Sequence, residues 1–465
     1  MADGRSGRTG VRSVLVANRG EIACRVISAC RGLGLHAVAV YSDADRQARH
    51  VRNADASVHI GPSRVDRSYL NVEAVLAAAR SAGVDAIHPG YGLLSENGDF
   101  ARAVIDAGFI WIGPSPETIE EMGDKGRARA IAAEAGVPIL PGTARFEAAS
   151  ASELAALGRE TGYPLLVKAA GGGGGIGMRR VDRPEDLAAV VEATRGLAER
   201  AFGNGTVYLE RFVPRARHIE VQVFGFGDGR VIHLFERECS IQRRFQKVIE
   251  EGPSAAVGAE TRARMTAAAV ALAARQNYSG AGTVEFIFDD DTGAFYFLEM
   301  NTRIQVEHAV TEMITGLDLV QLQLRLAAGE DLSALTQDNV RCLGHAIECR
   351  LYAENPAKNF LPSPGRLVRA GFPASSARVR IDTGFDEGDE ITAFYDPLVA
   401  KIIVGGADRA AAIEECRIAL AGTEIEGIVS NLKLLRSVLD HASFVDGQTF
   451  TSFLDTHKAD LLAPA

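Results

Sequence analysis

Between Ser13 and Gly113 short apolar runs alternate with stretches of helical spacing, and this alternation restricts the fold of the first quarter of the chain more than any other feature. Ser13 to Ala17 is an apolar run of strand length, and Glu21 to Gly32 carries apolar residues at helical intervals. Gly34 suits the left-handed residue after a helix, and His36 to Ser42 is a second apolar run. Further runs follow at Val84 to His88 and Phe109 to Gly113. Strands joined through helices run parallel, so the pattern predicts an α/β fold, a parallel Rossmann-like sheet with helices on both faces. The first strand-to-helix turn, Asn18-Arg19-Gly20-Glu21, has one glycine where a dinucleotide site uses three at fixed spacing, which argues against NAD.

At 465 residues the chain exceeds the roughly 250–300 residues at which a single core stops growing, so several domains are expected. The texture changes near Met122, where a helical stretch, Arg127 to Ala135, leads through Gly136-Val137-Pro138 to an apolar strand, Pro164 to Ala169. A third region starts near Gly344, with β-rich runs at Ala346 to Tyr352 and Leu398 to Val404 before an amphipathic helix over Ala410 to Ala421. The domains are therefore placed at 1–122, 123–335 with a mobile glycine-rich lid at about 138–212, and 340–455, the last of α+β type.

Composition narrows the partners. No apolar run approaches the roughly 20 residues that cross a bilayer, so no membrane association is expected. A net charge of −10, with basic residues clustered locally at Arg243, Arg244 and Lys247, argues against nucleic acid and for small anions. The six cysteines, Cys24, Cys30, Cys239, Cys342, Cys349 and Cys416, include no Cys-x-x-Cys pair, so neither a zinc site nor a disulfide framework is expected. Reduced thiols fit a cytoplasmic protein. The polar residues 1–12, with Arg5, Arg8 and Arg12 beside Asp3, read as a tail and not a targeting signal.

Two segments carry chemistry. Gly171 to Gly175, with Gly177 beyond, follow a strand that ends near Lys168. Backbone without Cβ atoms can approach a phosphate and flap as a lid. The Gly-Lys-Ser/Thr ending of a P-loop is missing, and a plain linker is the alternative. Farther on, Thr283 to Phe288 and Phe295 to Met300 read as a hairpin joined by Asp289 to Ala294, with Gly293 as the turn residue. If Asp290 faces Ala294, facing residues sum to 584 and Glu285 sits opposite Glu299. Two carboxylates so placed repel unless a cation bridges them. Alternation adds the amide oxygen of Asn301, then Arg303, to the same face. Hard oxygen donors suit magnesium or manganese with nucleotide phosphates, whereas a hairpin with solvated glutamates is the alternative. Glu307, flanked by Arg303, is placed to act as a general base, while His308 is expected to pack. Upstream, His218 to Gln222 and Glu238 to Lys247 gather polar and basic groups suited to anions.

These segments are worded in a specific way. Val16-Ala-Asn-Arg-Gly-Glu-Ile-Ala23, His88-Pro-Gly-Tyr-Gly92, Leu94-Ser-Glu-Asn97, Met122-Gly-Asp-Lys125, the glycine run, Glu299-Met-Asn-Thr-Arg-Ile-Gln-Val-Glu-His308 and Pro362-Ser-Pro-Gly365 resemble the biotin carboxylase family of the ATP-grasp superfamily over roughly residues 12–455. The resemblance implies a ligase that uses ATP and bicarbonate to carboxylate biotin on a separate biotin carboxyl carrier protein. It further implies the first half-reaction of an acetyl-CoA or other acyl-CoA carboxylase, as in fatty acid biosynthesis. Carried over, it puts Lys125, Lys168, Gly173, Gly174, Glu210, Val213, His218 and Gln242 on ATP. It puts Glu285, Glu299 and Asn301 on two magnesium or manganese ions, and Lys247, Arg303, Gln305, Val306 and Glu307 around bicarbonate. Glu307 would deprotonate bicarbonate on the way to carboxyphosphate, and Arg350 would steady the enolate-like biotin anion. A carboxyltransferase subunit and a homodimer are implied as partners.

Ile176, Phe245 and Ala309 depart from the family's usual residues in the lid, beside the nucleotide and after His308, without removing a metal, base or biotin residue. The chain contains no Met-Lys-Met, so biotin is expected on another polypeptide. Two other readings share much of this set: a different ATP-grasp ligase, against which the pair Glu307 and Arg350 speaks, and a nucleotide-binding regulatory subunit without turnover.

Overall fold

The computed structural model describes residues 10–170, 177–202, 204–244 and 246–463. Gly173, Gly174, Ile176 and Phe245 lie outside the described residues. The chain divides into two compact units: residues 1–137, 217–286 and 298–465 form the first, and 138–216 with 287–297 the second. Among the described residues no helix is long and apolar enough to cross a membrane.

The first unit opens with the expected parallel sheet. Strands β1 (Ser13–Val16), β2 (His36–Ser42), β3 (Ala56–Gly61), β4 (Ala86–His88) and β5 (Ile110–Trp111) lie in the order β3-β2-β1-β4-β5, every pairing parallel. Alternation divides their side chains between two cores. Val14, Val16, Ala37, Ala39 and Ala86 pack on one face with Ile22, Val26 and Ile27 of the helix Gly20–Gly32. Leu15, Val38, Val40 and Ile87 pack on the other with Val75, Phe100 and Ile119. A sheet buried on both faces needs the near-continuous apolar runs seen in the sequence. After the first helix Gly34 takes φ +68°, the left-handed conformation expected of it.

The second unit is built on β6 (Leu165–Ala169), β7 (Met178–Val181) and β8 (Val207–Arg211), antiparallel in the order β7-β6-β8. Leu165, Val167, Val181, Val207 and Leu209 form its core with Leu154 and Leu187 from two flanking helices. The helix Ala151–Thr161 starts with a capping box, Ser150 with Glu153, which satisfies two backbone donors that a helix end leaves open.

Most of an eight-stranded sheet organises the rest of the first unit. It contains β9 (Ala216–Phe226), β10 (Val231–Arg243), β11 (Gln246–Gly252), β12 (Ser279–Asp289), β13 (Phe295–Asn301) and β14 (His345–Tyr352), then the strands Leu398–Gly406 and Val379–Thr383. Their order is β13-β12-β9-β10-β11-β14, then Leu398–Gly406 and Val379–Thr383. Ile347, Cys349 and Leu351 of β14 enter a core with Ile402, Val404, Leu435 and Val438. The intervening Ala346 packs on the opposite side against Val310 and Ile314. That alternation aims Glu348 and Arg350 away from the apolar core.

The hairpin turn differs from expectation. Asp289 N–H donates to the Ala294 carbonyl and Gly293 N–H to the Asp289 carbonyl, both at 2.8 Å, so Asp289 and not Asp290 faces Ala294. Gly293 at φ +69° adds a left-handed residue to the loop and moves the count by one.

Close backbone approach fixes Gly225 on β9, because a Cβ there would lie 2.1 Å from the Tyr278 carbonyl oxygen. Gly225→Ala is expected to destabilise the first unit by about 1–3 kcal/mol, the usual cost of overpacking. A thermal melt followed by circular dichroism checks this, and an unchanged midpoint would show that the two strands can move apart freely.

Candidate functional site

The large sheet brings residues far apart in sequence onto one polar surface of the first unit. β9 supplies His218 and Glu220, β10 Arg237 and Gln242, β11 Lys247, β12 Glu285, β13 Glu299 and Asn301, and β14 Arg350. The segment 302–307 leads from β13 into the helix His308–Thr315 and carries Arg303, Gln305, Val306 and Glu307.

Lys247 is the hub. Its Nζ donates to Glu220 Oε2 at 2.5 Å, Glu307 Oε1 at 2.6 Å and Glu285 Oε1 at 2.8 Å. Burial alone would lower its proton affinity, but the three carboxylates hold it well above the usual lysine range. Burial raises the proton affinity of Glu307, yet Lys247, Arg350 and Arg237 more than offset this and keep it well below the usual carboxylate range. Glu307 also accepts from Arg350 Nη2 at 2.9 Å. Arg303 donates to Asn301 Oδ1 at 2.8 Å and pairs with Glu96 at 3.0 Å. Gln305 donates to Glu285 Oε1 at 2.8 Å, and the Val306 carbonyl accepts from the buried Lys401 at 2.7 Å. Gln242 is buried opposite Lys247 in the β10–β11 ladder. His308 packs as expected, wholly buried with Nδ1 2.7 Å from the Gln305 carbonyl.

The two hairpin glutamates still act on one another through their charge despite the changed turn register. Glu285 is 4% exposed, which overturns the solvated reading. Asn301 Nδ2 donates to its Oε1 at 2.9 Å, and His218 Nε2 lies 2.9 Å from its Oε2. Burial would raise the Glu285 carboxyl, but Lys247 and His218 hold it well below the usual range. Glu299 responds the opposite way, raised by burial and then by the Glu285 charge, with Lys125 pulling it back. Lys125 itself stands exposed in the first turn of the helix Lys125–Glu134. A divalent cation fits this donor set, because Glu299 resists ionisation beside Glu285 for want of positive charge. One expectation is corrected: the Asn301 amide oxygen faces Arg303 and its N–H faces Glu285. A carboxylate attracts the N–H, and a guanidinium attracts the oxygen.

In the second unit Lys168 on β6 and Glu210 on β8 form an ion pair, and Val213 is buried just beyond β8.

Several functional neighbours escaped the sequence reading. Arg237, fully buried, donates to Glu220 at 2.6 Å and to Gln305 at 2.8 Å, and so fixes two partners of the hub. Asn431 donates to the Arg350 carbonyl at 2.9 Å and accepts from Tyr352 N–H at 2.8 Å, anchoring the end of β14. Glu250 lies 2.5 Å from Arg350 and faces Glu348 across the β11–β14 ladder. The alternation of Glu348 and Arg350 with apolar residues on β14 was the available signal, but its pairing with β11 is not written in either segment.

Residues 10–119 match the family described as biotin carboxylase, N-terminal domain, and residues 348–456 the biotin carboxylase C-terminal domain. Residues 124–335 match the ATP binding domain of the carbamoyl-phosphate synthase L chain. Biotin carboxylase 1 of Bacillus subtilis is 46% identical over 447 residues, covering 96% of this chain and 99% of that protein. The mitochondrial methylcrotonoyl-CoA carboxylase subunit alpha of Glycine max is 46% identical over 460 residues, covering 99% of this chain. The chain spans only 62% of that relative's length. Among solved structures, the biotin carboxylase domain dimer of Hydrogenobacter thermophilus 2-oxoglutarate carboxylase, in complex with MgADP, ADP and bicarbonate, is 43% identical with a TM-score of 0.87. That match covers 98% of this chain and 100% of the other. With its terminal regions matched by both biotin carboxylase domain families and a full-length relative at this identity, the chain belongs to the biotin carboxylase family.

Proposed function

We propose that this chain uses ATP and bicarbonate to carboxylate biotin carried on a separate carrier protein, as the first half-reaction of an acyl-CoA carboxylase. The observation that carries the proposal is the Lys247 hub, which joins a carboxylate of the metal pair, Glu285, to the base candidate Glu307 through one ammonium. The structural neighbour bound to MgADP and bicarbonate supports the same ligands.

Lys125, Lys168, Gly173, Gly174, Glu210, Val213, His218 and Gln242 are assigned to ATP. Glu285 and Glu299, with the Asn301 amide turned, would hold magnesium or manganese, which supplies charge neutralisation at the phosphates when bound. Lys247 and Arg303 grip the bicarbonate anion, with Gln305 and Val306 lining its place. Glu307 takes the bicarbonate proton, and the resulting dianion attacks the γ-phosphorus to give carboxyphosphate and ADP. Carboxyphosphate releases CO2 and phosphate, the phosphate removes the ureido proton of biotin, and Arg350 steadies the enolate-like anion that attacks CO2. A carboxyltransferase then passes the carboxyl group to an acyl-CoA, and the family's dimeric state is proposed for this chain. A cytoplasmic location fits the sequence reading of reduced cysteines.

ADP release measured with and without bicarbonate and free biotin tests the reading directly, and bicarbonate-independent hydrolysis unaffected by biotin would overturn it. Glu307→Gln is expected to lower biotin carboxylation about 10²–10⁴-fold, the range of general-base loss, with ATP affinity changed by less than about threefold in a fluorescent nucleotide assay. Equal losses in both would make Glu307 a nucleotide contact. Arg350→Ala is expected to reduce carboxylation of free biotin at least about tenfold more than bicarbonate-dependent ATP cleavage. A uniform fall in the two rates would remove Arg350 from the biotin step.

A further inference from the structure

Directly beneath Arg350 the sheet contains a second pair of acids that the proposed reaction leaves unused. Glu250 on β11 and Glu348 on β14 face each other in the ladder between these strands, and both are 0% exposed. Neither oxygen of either carboxyl has a well-angled hydrogen bond among the described residues. The close contact is an ion pair, Arg350 Nη2 to Glu250 Oε1 at 2.5 Å, on the same guanidinium nitrogen that serves Glu307 at 2.9 Å.

Two carboxyls opposed in a fully buried place cannot both carry charge without strong positive compensation. The three cations that face the pair are all shared with other acids. From β14 the pair meets Arg350, Cys349 and Tyr352, from β11 Lys247, from β10 Cys239, from the strand Leu398–Gly406 Lys401, and ahead of the helix His308–Thr315 Glu307. Arg350 and Lys247 are already shared with Glu307, and Lys401 is drawn toward Glu21 and Asp382. The pair therefore holds at least one proton at neutral pH.

We propose that Glu250, backed by Glu348, is a positioning residue for Arg350: its ionised form grips the guanidinium, and it takes a proton from solvent as the guanidinium is handed to the biotin-derived anion. The proton adds to a Glu250 oxygen when the ion pair opens and returns to solvent when the pair closes, so no other bond is made or broken. The inference rests on the assignment of Arg350 to biotin made above. Burial, only partly countered by Arg350, lifts Glu250 to about 7, which places the exchange in the working range. Burial raises Glu348 well above the usual carboxylate range, with Lys401 opposing and Glu250 reinforcing, so Glu348 keeps its proton while Glu250 exchanges.

The sign follows from the grip. Above about pH 7 the ionised Glu250 competes for Arg350, so kcat/KM for free biotin, at saturating ATP, magnesium and bicarbonate, is expected to fall up to tenfold per pH unit for one linked proton. Glu250→Gln cannot ionise, and Glu250→Asp keeps an acid but shortens its reach to Arg350. Both are expected to flatten this limb between pH 7 and 9 while the pH profile of biotin-independent, bicarbonate-dependent ATP cleavage keeps its wild-type shape. A flat wild-type profile, or persistence of the limb in whichever variant folds, overturns the inference. Wild-type protein without any bicarbonate-dependent ATP cleavage fails the proposed function instead, and the two failures are thus told apart.

Discussion

One ammonium group, Lys247 Nζ, holds together carboxylates from three separate parts of the chain. Glu220 comes from β9, Glu285 from β12 and Glu307 from the segment after β13. Each of these acids is nearly or fully buried, and each would be costly to ionise alone. Arg237 and Arg350 supply the remaining positive charge, so three buried acids meet three cations. Neutrality of this set lets a polar surface form on a sheet whose other side is hydrocarbon.

The charge excess is pushed to the edges of this neutral set. On the hairpin side it appears as Glu299, raised by burial and by Glu285. Beneath Arg350 it appears as Glu250 and Glu348, both raised. The two edges differ in what can relieve them. Glu299 adjoins the exposed Lys125 and is open to compensation by a cation from outside, whereas the deeper pair is compensated by Arg350 at Glu250 and otherwise by a proton. On the proposed assignments the first arrangement would receive metal and phosphates, and the second would serve a guanidinium that changes partners.

Much of this was legible in the chain, for reasons that differ by element. The first helix ends as read because Gly34 is the residue that tolerates a left-handed φ, and β2 begins and ends where its apolar run does. Alternation along β13 put Asn301 with the two glutamates, but as an oxygen donor to a metal, whereas its N–H meets Glu285. The turn register did not, since a loop of three and a loop of four residues ending in Gly293 leave the same residues in the sequence. Arg237 and Glu220 were missed because their role depends on β9 and β10 lying side by side. Glu250 and Glu348 are far apart along the chain, and only the β11–β14 pairing, which no local pattern encodes, sets them face to face. The orientation of the Asn301 amide was decided by Arg303, whose pull on the oxygen is visible only once both side chains are placed.

The depressed proton affinity of Glu307 looks unsuited to the base role proposed for it, yet the geometry contains a remedy. Its affinity is low because Lys247 lies 2.6 Å and Arg350 2.9 Å from its two oxygens. On the proposed assignment the first of these, Lys247, is also the cation that incoming bicarbonate recruits. In the proposed reaction bicarbonate draws Lys247 before any biotin anion exists, so Glu307 is relieved of part of the charge that holds its proton affinity down, while burial, which raises it, is unchanged. In that reading the carboxylate stays ionised until an anion arrives, and becomes a stronger base as the bicarbonate that brings the proton takes its share of Lys247. Competition between acid and substrate for this one shared cation would couple base strength to occupancy, without any movement larger than a side-chain hydrogen bond changing partners.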